Sequence, residues 1–544
     1  MISKMTFRDC TWDDFQGRFA ARQTLHGVID HWAERAPQTP AVLNATRGTS
    51  LTYAELRDKS LAVAQALARL GFRKGDFLAT SLPLTDDHIV LEYGCFRAGV
   101  IHVPLDLRLS RDELIRSLRL VGARGYATAL PHSVSGEVPE LEHVWDAARL
   151  HEFIAKAGEQ APQAPLPEIR PQEGAQVIFT TGSTGRPKAA LLTHIGITVQ
   201  NYCLGTAFEF PESRILVNLP PSHVGCQGEL LMTTFFWGST AVTLEIFDPG
   251  KSLEAIEKYR IRLVGQIPAM FHMMWRHSEY EKRDLKSIEA AVYGGQSVPR
   301  PFLDKLRTMA PRIGTGLGLT ETSGFCTYTP LTADADQVAA SLGDAAPVYP
   351  MSIREPMRAD GTAGEELPAG EIGHVCFRGP QTFAGYVHDE EATRKTISTD
   401  GWLYTGDMGS VDEGGLHFSG RAKWVIKPAG YQVFPGDVEE HICALSDKVA
   451  SCGVVGVPHP IWVEAIVAFV EKRPGVELSE AELRKHARSL TSYKRPLHYV
   501  IVEPGQMPLN RVAKVDTLRL RELAEIEVQQ LQSRGRWMSE ALEE

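Results

Sequence analysis

The sequence predicts an α/β protein in which mostly parallel sheets are covered by helices, with a smaller α+β domain after them. Up to about Gly420, short runs rich in β-branched residues alternate with helix-length segments. Such alternation favours parallel strands joined by crossover helices. Beyond Gly420 the strand and helix signals become shorter and more closely spaced. At about 150 residues per domain, the chain of 544 residues is long enough for three or four structural units.

Three helix starts are marked by capping residues. Thr24 precedes apolar residues at helical spacing. Thr52 with Glu55 and Ser110 with Glu113 have the spacing of a capping box, in which each side chain satisfies the amide of the other residue. Helices are therefore expected to begin directly after Thr24, Thr52 and Ser110.

The expected strands are short runs of β-branched and aromatic residues. In the larger part of the chain they are 77–82, 177–180, 215–219, 240–246, 263–267, 290–293 and a run around Ile313. In the last part they are VVGV, AIVAFV and HYVIVE, with a helix expected over 483–490. Prolines between residues 156 and 174 predict an exposed connection, and the final segment is expected to be a helix followed by a tail.

Composition excludes several classes of function. Lys and Arg number 57 against 67 Asp and Glu, a net charge of −10 that gives no electrostatic reason to expect nucleic acid. The eight cysteines are scattered without a C-x-x-C pair, which predicts reduced thiols and a cytoplasmic enzyme. No stretch approaches the roughly 20 apolar residues that span a bilayer, so no membrane span is expected.

The segment VIFTTGSTGRPKAALLTH, residues 177–194, carries the strongest chemical signal. An apolar strand enters a loop of threonine, glycine and serine that ends in a lysine, Lys188. Small residues let backbone amides face an anion, hydroxyls add donors and the lysine adds positive charge. A Walker A loop cannot be fitted to these residues. The sequence therefore predicts an anion-binding loop of another type.

This loop resembles the phosphate-loop signature of the adenylate-forming (ANL) superfamily, and the chain is similar to its branch of acyl- and aryl-CoA synthetases. Other motifs of that superfamily occur along the chain, before and after this loop, in family order. They are LTYAEL (51–56), RKGDFLATSLP (73–83), YGGQSVP (293–299), GTGLGLTET (314–322), GEIGHVCFRGPQTFAGY (370–386), GWLYTGD (401–407), GRAKWVIKPAGYQVFPGDVEE (420–440) and PLNRVAK (508–514). The resemblance implies an AMP-binding adenylation domain with the acyl pocket over residues 1–421, and a mobile domain with a catalytic lysine over 422–544.

The resemblance also implies the reaction. A small-molecule carboxylic acid would react with ATP to give an acyl-adenylate and pyrophosphate, and the acyl group would then pass to a thiol with release of AMP. The expected cofactors are ATP, Mg²⁺ and coenzyme A, and a carrier-protein thiol is the alternative acceptor. A nucleotide-binding regulator without turnover is disfavoured, because the loop and Lys514 are both present. The sequence leaves open whether the chain forms a homodimer.

Four residues are expected to act in catalysis by resemblance. Lys514 matches the lysine that reaches the carboxylate and the α-phosphate, and Glu321 with Thr181 matches the Mg²⁺ ligands. His223 stands where the family places a ring between acyl pocket and nucleotide. Each residue also has an alternative without a catalytic role. Lys514 would be an ordinary surface lysine, Glu321 a solvent-exposed glutamate, and His223 a core histidine with its hydrogen bonds made inside the protein.

Each nucleotide-binding motif is expected to make a different contact. Asp407 would hold the ribose, Arg421 the ribose or phosphate, Lys423 would mark the hinge, and Gly430 would face the site in the thiol step. The complete set of residues expected to bind nucleotide or cofactor is Thr180, Thr181, Gly182, Ser183, Thr184, Gly185, Lys188, Gly295, Gln296, Ser297, Gly316, Leu317, Gly318, Leu319, Thr320, Asp407, Arg421, Lys423 and Gly430.

The substrate is constrained only broadly. Gly225 stands where amino-acid-activating relatives keep an aspartate, which disfavours an amino acid, although Glu229 lies nearby. Small and apolar residues over 224–237, and room beside Gly316 and Gly318, predict a medium-sized apolar pocket for an aromatic, alicyclic or medium-chain acid. The alternative is that this apolar segment is helix core. The expected pocket residues are His223, Val224, Gln227, Gly294, Gly316 and Gly318.

Overall fold

The computed structural model describes residues 5–131, 134, 136–159, 165–181, 187–509, 515–535 and 537. Within them the chain is α/β, as the sequence predicts. Its strands, in chain order, are β1 Pro40–Asn44, β2 Thr49–Thr52, β3 Phe77–Ser81, β4 Ile101–Pro104, β5 Ala123–Thr128, β6 His143–Asp146, β7 Gly174–Thr181, β8 Pro187–Thr193, β9 Arg214–Val217, β10 Thr240–Thr243, β11 Leu263–Gln266, β12 Ala290–Tyr293, β13 Arg312–Gly314, β14 Gly318–Leu319, β15 Gly324–Phe325, β16 Met351–Arg354, β17 Gly373–Phe377, β18 Gly385–Tyr386, β19 Leu403–Asp412, β20 Gly415–Arg421, β21 Val449–His459, β22 Val463–Lys472 and β23 His498–Val502.

The α-helices precede, separate and follow these strands in the chain. They are α1 Trp12–Phe19, α2 Leu25–Arg35, α3 Tyr53–Arg69, α4 Asp86–Ala98, α5 Arg111–Val121, α6 Ala147–Ala157, α7 His194–Ala207, α8 Thr233–Phe236, α9 Pro249–Tyr259, α10 Pro268–Arg276, α11 Arg300–Met309, α12 Ala335–Ala340, α13 Glu390–Thr396, α14 Pro435–Cys443, α15 Glu480–Ala487 and α16 Thr517–Ser533. A π-helix, Gly225–Met232, precedes α8.

Two seven-stranded sheets form most of the chain before residue 421. The first has the order β13–β12–β11–β9–β10–β1–β2 and is parallel except for β2. The second has the order β18–β8–β7–β4–β3–β5–β6 and is parallel from β7 to β6, whereas β8 and β18 are antiparallel. The expectation of mostly parallel sheets is confirmed.

Three further sheets of the described residues are smaller. Strands β14 and β15 form an antiparallel pair. Strands β16, β17, β19 and β20 form an antiparallel sheet that the strand signals did not predict, because β17, β19 and β20 overlap glycine-rich motifs that resemble loops. Strands β21, β22 and β23 form a mixed sheet after residue 421, where short strands were expected. This last sheet packs against α14 and α16.

The predicted helix starts are confirmed. The Thr24 side chain accepts a hydrogen bond from an amide in the first turn of α2. Reciprocal capping boxes open α3 at Thr52 and α5 at Ser110. The helix expected over 483–490 begins earlier, because Ser479 and Glu482 form a further capping box at the start of α15.

Two helices lie in the middle of the large core. Every described residue of α7 is buried, and so is α4 from His88 onward. A helix that is buried all round has neighbours on every side, and the surrounding core contains side chains from both seven-stranded sheets. All eight cysteines are free thiols, seven of them buried. Among the described residues, no helix is long and apolar enough to cross a membrane.

A fully buried polar cluster ties α4 to the second sheet. The Glu92 carboxyl lies 3.1 Å from His102 Nδ1 and accepts a hydrogen bond from Gln176 Nε2 at 2.8 Å. Thr80 Oγ1 lies 3.0 Å from Nε2 of both His102 and His88. Burial raises the pKa of Glu92 to about 8 and lowers the pKa of His102 to about 3 and of His88 to about 4. The cluster is therefore uncharged at neutral pH.

Glu92 makes the free energy of unfolding depend on pH. The folded protein keeps the Glu92 proton up to about pH 8, whereas the unfolded chain releases it above about pH 4.5. Stability therefore falls as pH rises between these values, by up to ~1.4 kcal/mol per pH unit. Glu92→Gln removes this loss, so its stability gain over the wild type should be ~1–2 kcal/mol larger at pH 8 than at pH 6.5.

Urea unfolding followed by tryptophan fluorescence measures the difference. Glu209→Gln, on an exposed ion pair with Arg312, is the control and should give the same difference at both pH values. An equal effect of Glu92→Gln at the two pH values would contradict the assignment of a protonated Glu92.

Candidate functional site

The predicted anion-binding loop is the connection of the β7–β8 hairpin. Thr180 lies opposite Lys188, and Thr181 lies opposite Pro187. The antiparallel pairing therefore brings the threonine-rich end of β7 next to the lysine that ends the motif. The expected phosphate contacts Gly182, Ser183, Thr184 and Gly185 lie outside the described residues.

A chain of contacts runs from this hairpin to Glu321. Lys188 Nζ lies 4.7 Å from the centroid of the Tyr386 ring, a cation–π contact. The Tyr386 hydroxyl donates a hydrogen bond of 2.6 Å to Glu321 Oε1. Burial and the adjacent Glu321 carboxylate raise the pKa of Tyr386, so the hydroxyl keeps its proton and remains a donor. Three sequence motifs that are far apart in the chain thus meet at one tyrosine.

Glu321 is presented by a rigid turn. It occupies a 3₁₀ turn, Thr320–Thr322, between β14 and β15. The Gln381 amide donates to the carbonyls of Thr322 and Phe325 at 2.7 and 2.6 Å, and the Phe383 amide donates to the Glu321 carbonyl at 3.0 Å. These bonds fix the backbone that carries the carboxylate. Tyr386 and Gln381 are not among the residues that the sequence predicts for the site, although both lie in the 370–386 motif.

A second carboxylate, Asp407, is almost completely buried with an arginine beside it. Its side chain is 1% exposed, and Oδ1 lies 2.6 Å from Arg421 Nε across the β19–β20 pair. Burial lowers the pKa of Lys423, and the charges of Arg421 and Lys188 lower it further, whereas Asp407 opposes them. Lys423 therefore lies near Lys188, Arg421 and Asp407. Cations grouped in this way suit a polyanion.

The motifs 293–299 and 314–322 begin at the carboxyl ends of neighbouring parallel strands. Residues 294–297 follow β12, and 315–317 follow β13. In open α/β sheets, ligands bind beyond these strand ends. A methyl group at Gly316 would lie 1.9 Å from the Thr327 carbonyl oxygen, so only glycine fits there. Leu317 is buried, whereas Gly295, Gln296 and Ser297 are exposed.

The Phe325 ring occupies the space beside two of the glycines that were expected to line the pocket, Gly294 and Gly316. Methyl groups at Gly294 and Gly316 would lie 3.0 and 2.8 Å from the Phe325 ring. The apolar residues expected to line a pocket, Leu230, Leu231, Phe235 and Phe236, are buried in the large core, which is the alternative that the sequence left open. These four side chains therefore belong to the packed interior.

The remaining pocket residues surround the π-helix. His223 is exposed rather than a core histidine, and its Nδ1 accepts a hydrogen bond from the Gly225 amide at 3.0 Å. Val224 and Gln227 are buried. Burial raises the pKa of the half-buried Glu229 to about 8, although a hydrogen bond from the Phe325 amide opposes the shift. Extended π-helices are rare and are frequent at functional sites.

The C-terminal motifs are described only in part. Gly430 lies in a short 3₁₀ turn, Pro428–Gly430, in which Ala429 has a φ of 50° and donates its amide to the Trp462 carbonyl at 2.7 Å. Lys514 lies outside the described residues.

Comparison with known proteins identifies the family. The family model described as AMP-binding enzyme matches residues 29–387, and the model described as AMP-binding enzyme C-terminal domain matches residues 437–514. A feruloyl-CoA synthase of Amycolatopsis sp is 32% identical over 85% of this chain and 92% of its own length. A 3-[(3aS,4S,7aS)-7a-methyl-1,5-dioxo-octahydro-1H-inden-4-yl]propanoyl:CoA ligase of Mycobacterium tuberculosis is 30% identical over 92% of this chain and 99% of its own length.

Solved structures support the same fold. ATP-bound MatB from Rhodopseudomonas palustris superimposes with a TM-score of 0.82 and 24% identity, over 93% of this chain and 99% of its own. The motifs, the fold and the two family models agree, and the chain belongs to the AMP-binding enzyme family of the adenylate-forming (ANL) superfamily.

Proposed function

We propose that this protein is an ATP-dependent carboxylate–CoA ligase that forms an acyl-adenylate and then an acyl-CoA thioester, with release of pyrophosphate and AMP. The observation that carries the proposal is the ion pair between Arg421 and the buried carboxylate of Asp407, with Lys423 two residues after Arg421 and Lys188 at the end of the phosphate hairpin. A triphosphate next to a ribose needs this combination of several cations and one acceptor.

The first step requires charge neutralisation. The substrate carboxylate attacks the α-phosphate, and both groups are anionic, so the barrier depends on placed cations and donors. Lys188 lies at the end of the phosphate hairpin, where it would hold the β- and γ-phosphates. Lys514 would bring a further positive charge to the carboxylate and the α-phosphate as they approach each other.

Asp407 would orient the nucleotide through its ribose. A carboxylate has two acceptor oxygens, which match the two hydroxyls of a ribose diol. The Arg421 guanidinium at 2.6 Å favours the ionised carboxylate and keeps it in place on β19. Together with the amides after β12 and β13, this contact would fix the position of the α-phosphate.

The residues around Glu321 fit a magnesium ion. Glu321 offers a carboxylate on a rigid turn, with Tyr386 holding one of its oxygens. No group of three or more His, Cys, Asp or Glu that could hold a metal occurs in the described part of the chain. The site therefore fits an ion that takes most of its oxygen ligands from phosphate and water, as Mg²⁺ does. When bound, the ion would neutralise charge on the phosphates, and Thr181 is the second proposed protein ligand.

The thiol step completes the proposal. Residues 1–421 would form the adenylation domain, and residues 422–544 a mobile domain that turns about Lys423 and brings the loop at Gly430 to the acyl-adenylate. Turning one domain between two steps would keep the reactive intermediate away from water. ATP, coenzyme A and eight free thiols are consistent with a cytoplasmic enzyme.

The acid is proposed to carry a ring. The two relatives above are named for feruloyl and octahydro-indenyl propanoyl groups, and both names denote ring-bearing acyl groups. An aromatic or alicyclic acid is therefore favoured over a medium-chain fatty acid.

The direct test is AMP formation from ATP with a panel of aromatic, alicyclic and medium-chain acids. Each acid is incubated with either CoA or a holo-carrier protein. Acid-dependent AMP together with acyl-CoA supports the proposal. AMP and pyrophosphate released with acyl-carrier protein but no acyl-CoA would replace it with the carrier-loading alternative.

Tyr386→Phe should weaken magnesium dependence through Glu321. Loss of the hydroxyl removes the bond that orients the carboxylate, and removing such outer partners of a metal ligand typically costs about 10- to 100-fold in metal affinity. The Mg²⁺ concentration for half-maximal ATP–pyrophosphate exchange should rise by that factor. Tyr259→Phe, on α9, is the matched control. An unchanged Mg²⁺ titration for Tyr386→Phe would argue against Glu321 as the ligand.

Lys514→Ala should separate the two half-reactions. ATP–pyrophosphate exchange should fall by about 100-fold or more, because a charge that stabilises the transition state is lost. Conversion of added acyl-adenylate to acyl-CoA should remain close to the wild-type rate. Lys485→Ala, in the last turn of α15, is the control. Equal losses in both half-reactions would contradict the assigned role.

A further inference from the structure

The turn between β21 and β22 is shaped by a buried histidine. His459, the last residue of β21, pairs with Val463, so the turn consists of residues 460–462. His459 Nδ1 accepts hydrogen bonds from the amides of Ile461 and Trp462, each at 3.1 Å. The side chains of Ile461 and Trp462 are exposed, so hydrogen bonding rather than side-chain packing fixes the turn. The conformation of this turn therefore depends on one imidazole nitrogen.

The other ring nitrogen anchors the histidine. His459 is 4% exposed, and its Nε2 lies 3.2 Å from the carbonyl oxygen of Trp537. Because Nδ1 accepts from two amides, Nε2 carries the ring proton and donates a hydrogen bond to this carbonyl. The Trp537 side chain is buried and packs against the imidazole, with ring centroids 5.3 Å apart. A residue beyond α16, in the segment that the sequence predicts to be a tail, thus holds His459 in one orientation.

Two hydrogen bonds join this hairpin to the loop that contains Gly430. The Ala429 amide donates to the Trp462 carbonyl at 2.7 Å. The Lys427 amide donates to the Glu464 side chain, at 2.6 Å from Oε2. The position of the loop is therefore tied to the conformation of the hairpin turn.

The backbone is strained on both sides of this contact. Ala429 has a φ of 50° and Val463 a φ of 68°, in the left-handed region. That region is unfavourable for any residue with a Cβ atom, and a β-branched residue such as valine is rarely found there. Strained backbone persists only where the surrounding contacts impose it, and it is concentrated at functional sites. The strain therefore indicates a conformation that does more than close a hairpin.

We infer that the β21–β22 turn is a positioning element for the transfer of the acyl group to the thiol, with His459 and Glu464 as its positioning residues. This inference rests on the proposed function, in which the loop at Gly430 faces the acyl-adenylate in that step. There the thiol sulfur bonds to the acyl carbon, the bond from this carbon to the AMP phosphate oxygen breaks, and the thiol proton passes to water. Both residues act through the loop: His459 fixes the turn, and the turn and Glu464 place the loop.

Adenylation should not depend on this turn. The side chains proposed for it include Lys188, Glu321, Asp407 and Lys514, and all of them lie outside the loop and the turn. A loop that is misplaced by about 1 Å can cost on the order of 100-fold in the rate of the step that it serves. Loosening the turn should therefore slow acyl transfer and leave adenylation intact.

The test measures the two half-reactions separately in the full-length protein, with an acid that supports AMP formation. ATP–pyrophosphate exchange reports adenylation, and rapid mixing of the preformed acyl-adenylate with CoA reports transfer. In His459→Leu, which lacks both ring nitrogens, transfer should fall at least about tenfold, whereas exchange should stay within about twofold of the wild type. His459→Asn should regain most of the transfer rate, because an asparagine oxygen accepts a hydrogen bond from the amide two residues on.

Glu464→Ala tests the second link. It removes the acceptor of the Lys427 amide and should slow transfer by about fivefold, the equivalent of one hydrogen bond, with exchange unchanged. Glu464→Gln keeps an acceptor oxygen and should transfer at the wild-type rate. Arg519→Gln, in an exposed ion pair on α16, is the control and should change neither half-reaction.

Two results with His459 would overturn the inference. One is a wild-type transfer rate in His459→Leu, and the other is an equal loss of transfer in His459→Leu and His459→Asn. If His459→Leu does not fold and loses both half-reactions, an unchanged transfer rate in Glu464→Ala overturns the inference alone. A wild-type protein that forms the acyl-adenylate but passes the acyl group to neither CoA nor a carrier protein would instead refute the second step of the proposed function.

Discussion

The hydrogen bond between the Tyr386 hydroxyl and Glu321 is the contact on which the arrangement of the site depends. Tyr386 lies on β18, at the edge of the second sheet and next to the phosphate hairpin, whereas Glu321 lies on a turn beyond the carboxyl edge of the first sheet. The bond therefore joins the phosphate-binding element to the turn that presents the acid. Because Tyr386 stays protonated, the contact remains a donor–acceptor pair at physiological pH.

Local charge, not net charge, governs the proposed chemistry. The chain has a net charge of −10, yet Arg421 pairs with the buried Asp407, and Lys188 and Lys423 add positive charge close to Arg421. These residues come from separate motifs, and only Arg421 and Lys423 are close in sequence. A few cations in a site with little water interact with an anion more strongly than many cations on the surface.

Two glutamates, the buried Glu92 and the half-buried Glu229, have similar pKa shifts in different surroundings. The pKa values of Glu92 and Glu229 are both raised to about 8 by burial. The Glu92 carboxyl accepts a hydrogen bond from Gln176 and lies 3.1 Å from His102, and its second oxygen has no partner in the described part of the chain. Glu229 faces glycine positions and the unpartnered amide of Gln200.

The sequence alone determined the family, the α/β class, the helix starts and the residue types of the nucleotide site, because these depend on local capping, alternation and motifs of contiguous residues. It did not reveal the sheet β16–β17–β19–β20, the roles of Tyr386 and Gln381, or the filling of the glycine-lined room by Phe325. Each of these depends on residues far apart in the chain. Only tertiary packing decided that the apolar part of 224–237 is core, since burial and side-chain direction are set by neighbours that no local pattern specifies.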